Sequence, residues 1–388
     1  MEQAHNKRAR ASSAPSPSMT ASHRSISTSR WCFAGQHPAV SPVRRTRPRA
    51  SSSAADAPTP RGFSCGRPLS EHSTYGIGGP ADALCVAKTL RELREAFVAC
   101  RGAGQRTLVV GKGSNVLFDD SGFRGAVIVN RVAFVERLGE YVKGDKGERV
   151  DDADAGAGEG SACGSGRRLA RFRVGAGAAF NSLGVRLSSE GLSGLEFACG
   201  IPGTLGGAIV MNAGAHGQET AAVVESVEVV MPDGQMRTLS ADKGELVWGY
   251  RKSVFQRGGR FEDAAVAAAT LRLAHDAGAR EMQLAYAAQR KASQPVTARS
   301  CGCIFRNPGE GAPSAGALID RAGLKGTRVG GVVVSTKHAN FLVNEGGASA
   351  SDLRSLIEKV KATVRDEYGH ELREEVLYIP ADDADNQV

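Results

Sequence analysis

The chain is poor in aromatics, which make up 5% of its 388 residues, and no stretch reaches the 18 consecutive apolar residues that a bilayer-spanning helix needs. A cationic body is also missing. Residues 1–62 hold ten of the 49 Lys/Arg and two of the 41 Asp/Glu, which leaves 39 of each sign in residues 63–388. The body therefore has no global field to attract nucleic acid or an anionic membrane, and neither partner is expected. Eight cysteines (32, 65, 85, 100, 163, 199, 301 and 303) follow no repeated spacing, so neither a disulfide scaffold nor a zinc finger is expected. Walker A, H-E-x-x-H and a complete G-x-G-x-x-G after a strand are all absent.

Acids and a sustained apolar period are lacking in residues 1–62, which are rich in Ser, Ala and Arg. No early apolar run marks a secretory signal. The composition is that of an organelle transit peptide, with chloroplast preferred to mitochondrion because Ser and Pro abound and no early amphipathic Arg helix is present. A generic disordered tail is the alternative.

Glycine is plentiful, at 48 residues. Thr89 and Glu92 form a capping box ahead of Leu90, Leu93, Phe97 and Cys100 at helical spacing. Residues 106–118 read as strand, Gly-rich turn and short apolar run, and 126–130 as a strand. The charged, Gly-rich segment 141–168 reads as a long solvated loop joining two strands of a hairpin. A helix over 181–190, a hairpin around 226–240 and a strand over 264–275 follow. Polarity shifts at 274–295, taken as a domain junction. Beyond it come a strand-like 301–308, a short helix 314–323, strand pairs near 329–344, and a final helix capped by Ser349 with the stripe Leu353, Leu356, Ile357, Val360 and Val364. The expected class is α+β. The expected division is 63–277, 278–380 and a tail 381–388.

Two Gly-rich turns carry chemistry. Gly111, Lys112, Gly113, Ser114 and Asn115 follow the strand TLVV. Pro202, Gly203, Thr204, Gly206, Gly207 and Ala208 form a second turn, closed by Asn212 and Gly214. Consecutive amides in such turns make an anion nest, and glycine lets a diphosphate approach. Each alone is more often just a tight turn; together they suggest a phosphate-bearing cofactor. Arg251 stands between Tyr250 and a later hydroxyl, suited to a carboxylate or merely solvated on a strand. Cys303, near Gly302 and Arg306, is a small hydrophobe or a proton donor. Lys337 to Asn340 reads as a polar loop, and Glu374–Glu375 as solvated charge.

In this order, STYGIGGPAD, VVGKGSNVLFDDSGFRG, EFACGIPGTLGGAIVMNAGA, GYRKSVF, RKASQP, SCGCIFRNP, AGLKGTRVGGVVVSTKHANFLVN and ELREEVLYIP resemble the UDP-N-acetylenolpyruvoylglucosamine reductase family, in its shorter branch. The resemblance covers about residues 70–380. It implies an FAD-binding domain of the vanillyl-alcohol-oxidase (PCMH) type that holds the diphosphate on the two Gly-rich loops, and a smaller α+β substrate-binding domain. It implies NADPH as reductant, UDP-N-acetylglucosamine enolpyruvate as substrate and peptidoglycan precursor synthesis as the setting. By motif position it implies Arg251 on the substrate carboxylate, Cys303 as the acid that protonates C2, and Glu375 as support for the enol-like intermediate. Substrate contacts fall on Tyr250, Arg290, Asn307 and Lys337; no metal is implied. Most of the family carries serine where this chain has Cys303, and many members carry a polar residue at Gly76. A wall enzyme behind a transit peptide implies a plastid. An FAD oxidase acting on another substrate and an inactive flavin- or nucleotide-binding protein are the competing readings.

Overall fold

Helix α1, Leu90–Gly102, starts where the sequence marks it: the Thr89 side chain accepts from the Glu92 amide, and the Glu92 carboxylate accepts from the Thr89 amide. Its buried side chains Leu93, Phe97 and Cys100 seal one face of a sheet. In that sheet Phe123–Asn130 lies between Pro80–Ala87 and Thr107–Val110, parallel to both. The computed structural model describes residues 62–143, 149–151, 167–309 and 311–382. The expected transit peptide (all but Gly62), most of the 141–168 insertion and residues 383–388 of the tail lie outside these.

A second, antiparallel sheet orders Met236–Ser240, Val224–Val230, Ala265–His275, Arg167–Gly175, Val135–Lys143 and Arg149–Asp151. Period-two alternation gives it two different faces. Ala170, Phe172, Val174, Val227, Val229, Leu271 and Leu273 build the core beneath helices α2 (Phe180–Ser189) and α3 (Leu205–Met211). On the opposite face Arg171 pairs with Glu225 and Arg173 with Glu228. These pairs reach across Ala265–His275, whose small Ala268 and Thr270 leave room. Within 141–168 the described residues 141–143, 149–151 and 167–168 are strand. The strand beginning at Val135 runs to Lys143 with Tyr141 buried, and pairing resumes at Arg149 and Arg167.

One expectation after residue 274 needs correction. The segment read as the junction holds helix α4, Ala279–Ser293, whereas the strand-like 301–308 forms no strand, only an isolated bridge between Phe305 and Glu374. Its amides go elsewhere: Ile304 N to Asn340 O, Phe305 N to Asn340 Oδ1, Arg306 N to Arg373 O. Helix α5, Ala315–Arg321, and helix α6, Ala350–Tyr368, pack with the small sheet Arg328–Val329, Val332–Val334 and Leu342–Asn344. Ser349 caps α6, and Gly369 (φ 68°) ends it. Two long-range ties join early and late segments. The Asp120 carboxylate accepts from the Ala350 and Ser351 amides at 2.7 and 3.1 Å. Strand Leu377–Ile379 pairs in parallel with Val116–Phe118. The architecture is α+β, as the sequence suggests, and among the described residues no helix is long and apolar enough to cross a membrane.

Candidate active site

Both Gly-rich turns line one cavity of about 720 Å³. They pack directly on each other. Ser114 Oγ donates to the Pro202 carbonyl at 2.9 Å. A Cβ on Gly111 would stand 2.2 Å from Thr204 Oγ1, and one on Gly203 (φ +132°) 2.8 Å from Ser114 Oγ. Only glycine permits this approach. Among the described residues, the amides of Lys112, Gly113, Ser114, Asn115, Gly203 and Thr204 find no acceptor. Backbone N–H groups left open in a Gly-rich concavity call for an anion with several oxygens. The diphosphate of FAD meets that demand, and the apolar wall beside it, including Val109, Val210, Met211 and Phe255, suits a ring system. The residues fit the cofactor that the resemblance implies.

The same cavity is lined by Tyr250, Arg251, Arg290, Cys303, Asn307 and Glu375. Tyr250 and Arg251 form the two-residue turn between paired Trp248–Gly249 and Lys252–Ser253. Arg251 has φ +54°, a left-handed conformation that costs a non-glycine residue energy and persists where the surroundings enforce it. They do: Gln256 Nε2 donates to the Arg251 carbonyl at 3.1 Å, and Ser253 Oγ to the Val210 carbonyl at 2.7 Å. Arg251 Nε donates to Glu375 Oε1 at 2.7 Å and Nη2 to the Gly214 carbonyl at 3.0 Å, and its guanidinium lies 5.0 Å from the Tyr250 ring centre. Both Nη1 donors and one on Nη2 remain, a fork shaped for a carboxylate. Glu375 is fixed in turn, its amide donating to Ile304 O at 2.7 Å and its carbonyl accepting from Asn115 Nδ2 at 3.0 Å.

The two neighbouring thiols differ. Cys301 is fully buried; it donates to the Gly113 and Val116 carbonyls and meets Thr74 Oγ1 at 3.3 Å, and burial pushes its thiol up to about 12. Cys303 is half-buried, and burial, then the Glu375 carboxylate, push it up to about 11, with Arg290 and Arg251 pulling the other way. At neutral pH Cys303 holds its proton. Burial depresses the Arg290 guanidinium, whose Nε has no acceptor among the described residues.

Every expected cofactor residue lines the cavity except Asn212, and every expected catalytic or substrate residue except Lys337. Asn212 is buried at the C-terminus of α3 with φ 43°; its side chain bonds Glu219, the Gly249 carbonyl and the Ala221 amide, so it braces the turn that carries Arg251. The Lys337 ammonium is drawn away to the Lys291 carbonyl at 2.5 Å. Asn307 lines the cavity while its Oδ1 accepts from the Ala315 amide at the start of α5. Gln294, within RKASQP, and Asn340, at the end of the polar run from Lys337, also line the cavity, although neither was assigned a role from the sequence. Among the described residues no cluster of three or more His, Cys, Asp or Glu could hold a metal.

This fold and site define an FAD-dependent oxidoreductase. Residues 167–240 match the family described as FAD binding domain, and 294–379 the one described as UDP-N-acetylenolpyruvoylglucosamine reductase, C-terminal domain. UDP-N-acetylenolpyruvoylglucosamine reductase of Protochlamydia amoebophila is 40% identical over 314 residues, 81% of this chain and 93% of the relative. That of Desulfosudis oleivorans is 40% identical over 320 residues, 80% and 93% of the two chains. The crystal structure of the reductase from Thermus caldophilus superposes with a TM-score of 0.60 at 32% identity, over 81% of this chain and 98% of that one. The chain belongs to the UDP-N-acetylenolpyruvoylglucosamine reductase family.

Proposed function

We propose that this protein reduces UDP-N-acetylglucosamine enolpyruvate to UDP-N-acetylmuramate for peptidoglycan synthesis, with NADPH as the reductant. The observation that carries the reading is that Arg251, Glu375 and Cys303 line the same cavity as the paired amide nests, with Arg251 and Glu375 ion-paired at 2.7 Å. Bound FAD, held by Gly111 to Asn115 and Pro202 to Ala208, would supply the two-electron relay from nicotinamide to the enolpyruvyl group. The protein's own groups handle charge and proton. An enolpyruvyl ether resists hydride until its carboxylate can take up charge. The open fork of Arg251, pre-set by Glu375 and the Gly214 carbonyl, stabilises that charge without reorganising. Cys303, kept protonated by burial and by Glu375, donates the proton to C2. Tyr250, Arg290 and Asn307 contact the rest of the substrate.

The test is NADPH oxidation by residues 63–388 with bound FAD. The expected result is consumption that depends on the enolpyruvyl sugar nucleotide and a product two hydrogens heavier. Substrate-independent consumption alone would refute the reading. The composition of residues 1–62 supports plastid delivery as part of the same proposal, with the mitochondrion second. A fluorescent protein fused behind this segment should enter plastids; cytosolic retention would remove that part.

A further inference from the structure

The turn that presents Cys303 has no hydrogen bonds of its own to fix it. Among the described residues none reaches the backbone of Gly302 or Cys303, and Gly302, with φ +78°, has open space where a Cβ would stand. The thiol is therefore placed by ties on either side. After it, the Ile304 amide donates to the Asn340 carbonyl at 2.9 Å, and the Ile304 carbonyl accepts from the Glu375 amide at 2.7 Å. Before it, Thr74 Oγ1 donates at 2.7 Å to the Ser300 carbonyl, 226 residues away in sequence. That bond takes the only hydroxyl hydrogen, so Oγ1 turns its lone pairs toward Cys301 Sγ at 3.3 Å. The Gly113 and Val116 carbonyls, at 3.7 and 3.5 Å, are acceptors too, which keeps the Cys301 hydrogen in place and makes that thiol a pin, not an acid. Thr74 is itself fixed from the cofactor side. Its amide donates at 3.1 Å to the carbonyl of Gly113 in the first nest, where a Cβ would stand 1.9 Å from the His72 carbonyl oxygen. The next residue, Tyr75, is fully buried, and its carbonyl accepts from Asn344 Nδ2 at 2.7 Å. One hydroxyl thus joins the loop built for FAD to the turn that carries Cys303.

We propose that Thr74 is a positioning residue of the reduction: its hydroxyl holds the Cys303 turn against the FAD loop and so fixes the place from which the proton reaches C2. This rests on the reading of Cys303 as the proton donor. Thr74 does not line the cavity, so it acts through Cys303. Valine in its place keeps the shape and the amide bond to Gly113 and removes only the hydroxyl. A catalytic group displaced by about 1 Å can cost about 10²-fold in rate.

The experiment is anaerobic stopped-flow reoxidation of the reduced, FAD-loaded enzyme by UDP-N-acetylglucosamine enolpyruvate, run on T74V, T74S, C303A and the T74V/C303A double variant. The rate per bound flavin should fall about tenfold to 10²-fold in T74V and stay within about threefold of the parent in T74S, which restores the hydroxyl. FAD content, read as the flavin-to-protein absorbance ratio, and flavin reduction by NADPH should hold within about twofold in both. In the C303A background, T74V should slow reoxidation by less than about twofold more, because the group it positions is gone. A parental rate in T74V, a T74S as slow as T74V, or an undiminished effect of T74V in the double variant overturns the proposal. So does a loss of FAD or of NADPH reduction that matches the loss of reoxidation, which would make Thr74 structural. The acid role fails separately, if C303A alone reoxidises at the parental rate.

Discussion

Replacing Arg251 with lysine keeps the charge and removes the fork, and the structure indicates how much that should cost. The guanidinium already gives Nε to Glu375 and one Nη2 hydrogen to Gly214 O. Three donors are left, enough to meet both oxygens of a carboxylate. A lysine ammonium has three donors on one nitrogen, and keeping the two protein contacts leaves one for substrate. One donor to the developing charge is therefore lost. Such a loss is typically worth about 3 kcal/mol, or about 10²-fold in rate. It should fall on one half-reaction: reoxidation of the reduced flavin by the enolpyruvyl substrate slows by about 10²-fold. Flavin reduction by NADPH and FAD content should hold within about twofold, because Arg251 is not one of the amide-nest residues. Anaerobic stopped-flow absorbance at the flavin band separates the two steps. Equal slowing of both would refute the reasoning.

Cys303→Ser should remain active because a hydroxyl fits the same turn, and Cys303→Ala should lose about 10²–10⁴-fold in reoxidation by substrate alone; near-parental reoxidation in the alanine variant would make Cys303 structural. Because burial raises Cys85 to about 12, Cys100 to about 11 and Cys301 to about 12 from an ordinary 9.0, the folded state favours their neutral thiols. Their contribution to stability is complete below about pH 9 and is lost as pH rises toward 11–12, so urea midpoints should fall across that window and less steeply in Cys301→Ala. Gly111→Ala drives a Cβ into Thr204 Oγ1, and should cost most of the bound FAD, read as the flavin-to-protein absorbance ratio. Asp120→Ala removes the acceptor for two α6 amides and should lower stability by about 1–2 kcal/mol in chemical denaturation without changing FAD content.

Much of this was legible where local chemistry and tertiary context agree. The Thr89–Glu92 box and the Ser349 cap with its leucine–valine stripe specify helices that any context would accept. The Gly-rich turns point to anion nests only as a pair, since each alone would read as a tight turn. Legibility failed where the environment decides. Helix α4 buries only Ala279 and Gln283 and leaves Met282 and Leu284 exposed, so it carries no clear apolar stripe. Ile304 and Phe305 are apolar enough for a strand, but their amides bond to Asn340, a partner distant in sequence. Cys301 and Cys303 look alike locally; only Thr74, Gly113 and Val116 around the first, and Glu375 and two arginines around the second, tell them apart. Asn212 sits in a glycine-rich motif and reads as a ligand residue, yet its left-handed backbone makes it the brace of the Arg251 turn.

The most direct test of the central claim leaves NADPH out. The FAD-loaded protein is reduced chemically under anaerobic conditions and mixed with one equivalent of UDP-N-acetylglucosamine enolpyruvate. The account predicts that the oxidised flavin band returns in full, with one UDP-N-acetylmuramate formed per flavin. A flavin that stays reduced in the presence of that substrate would contradict it.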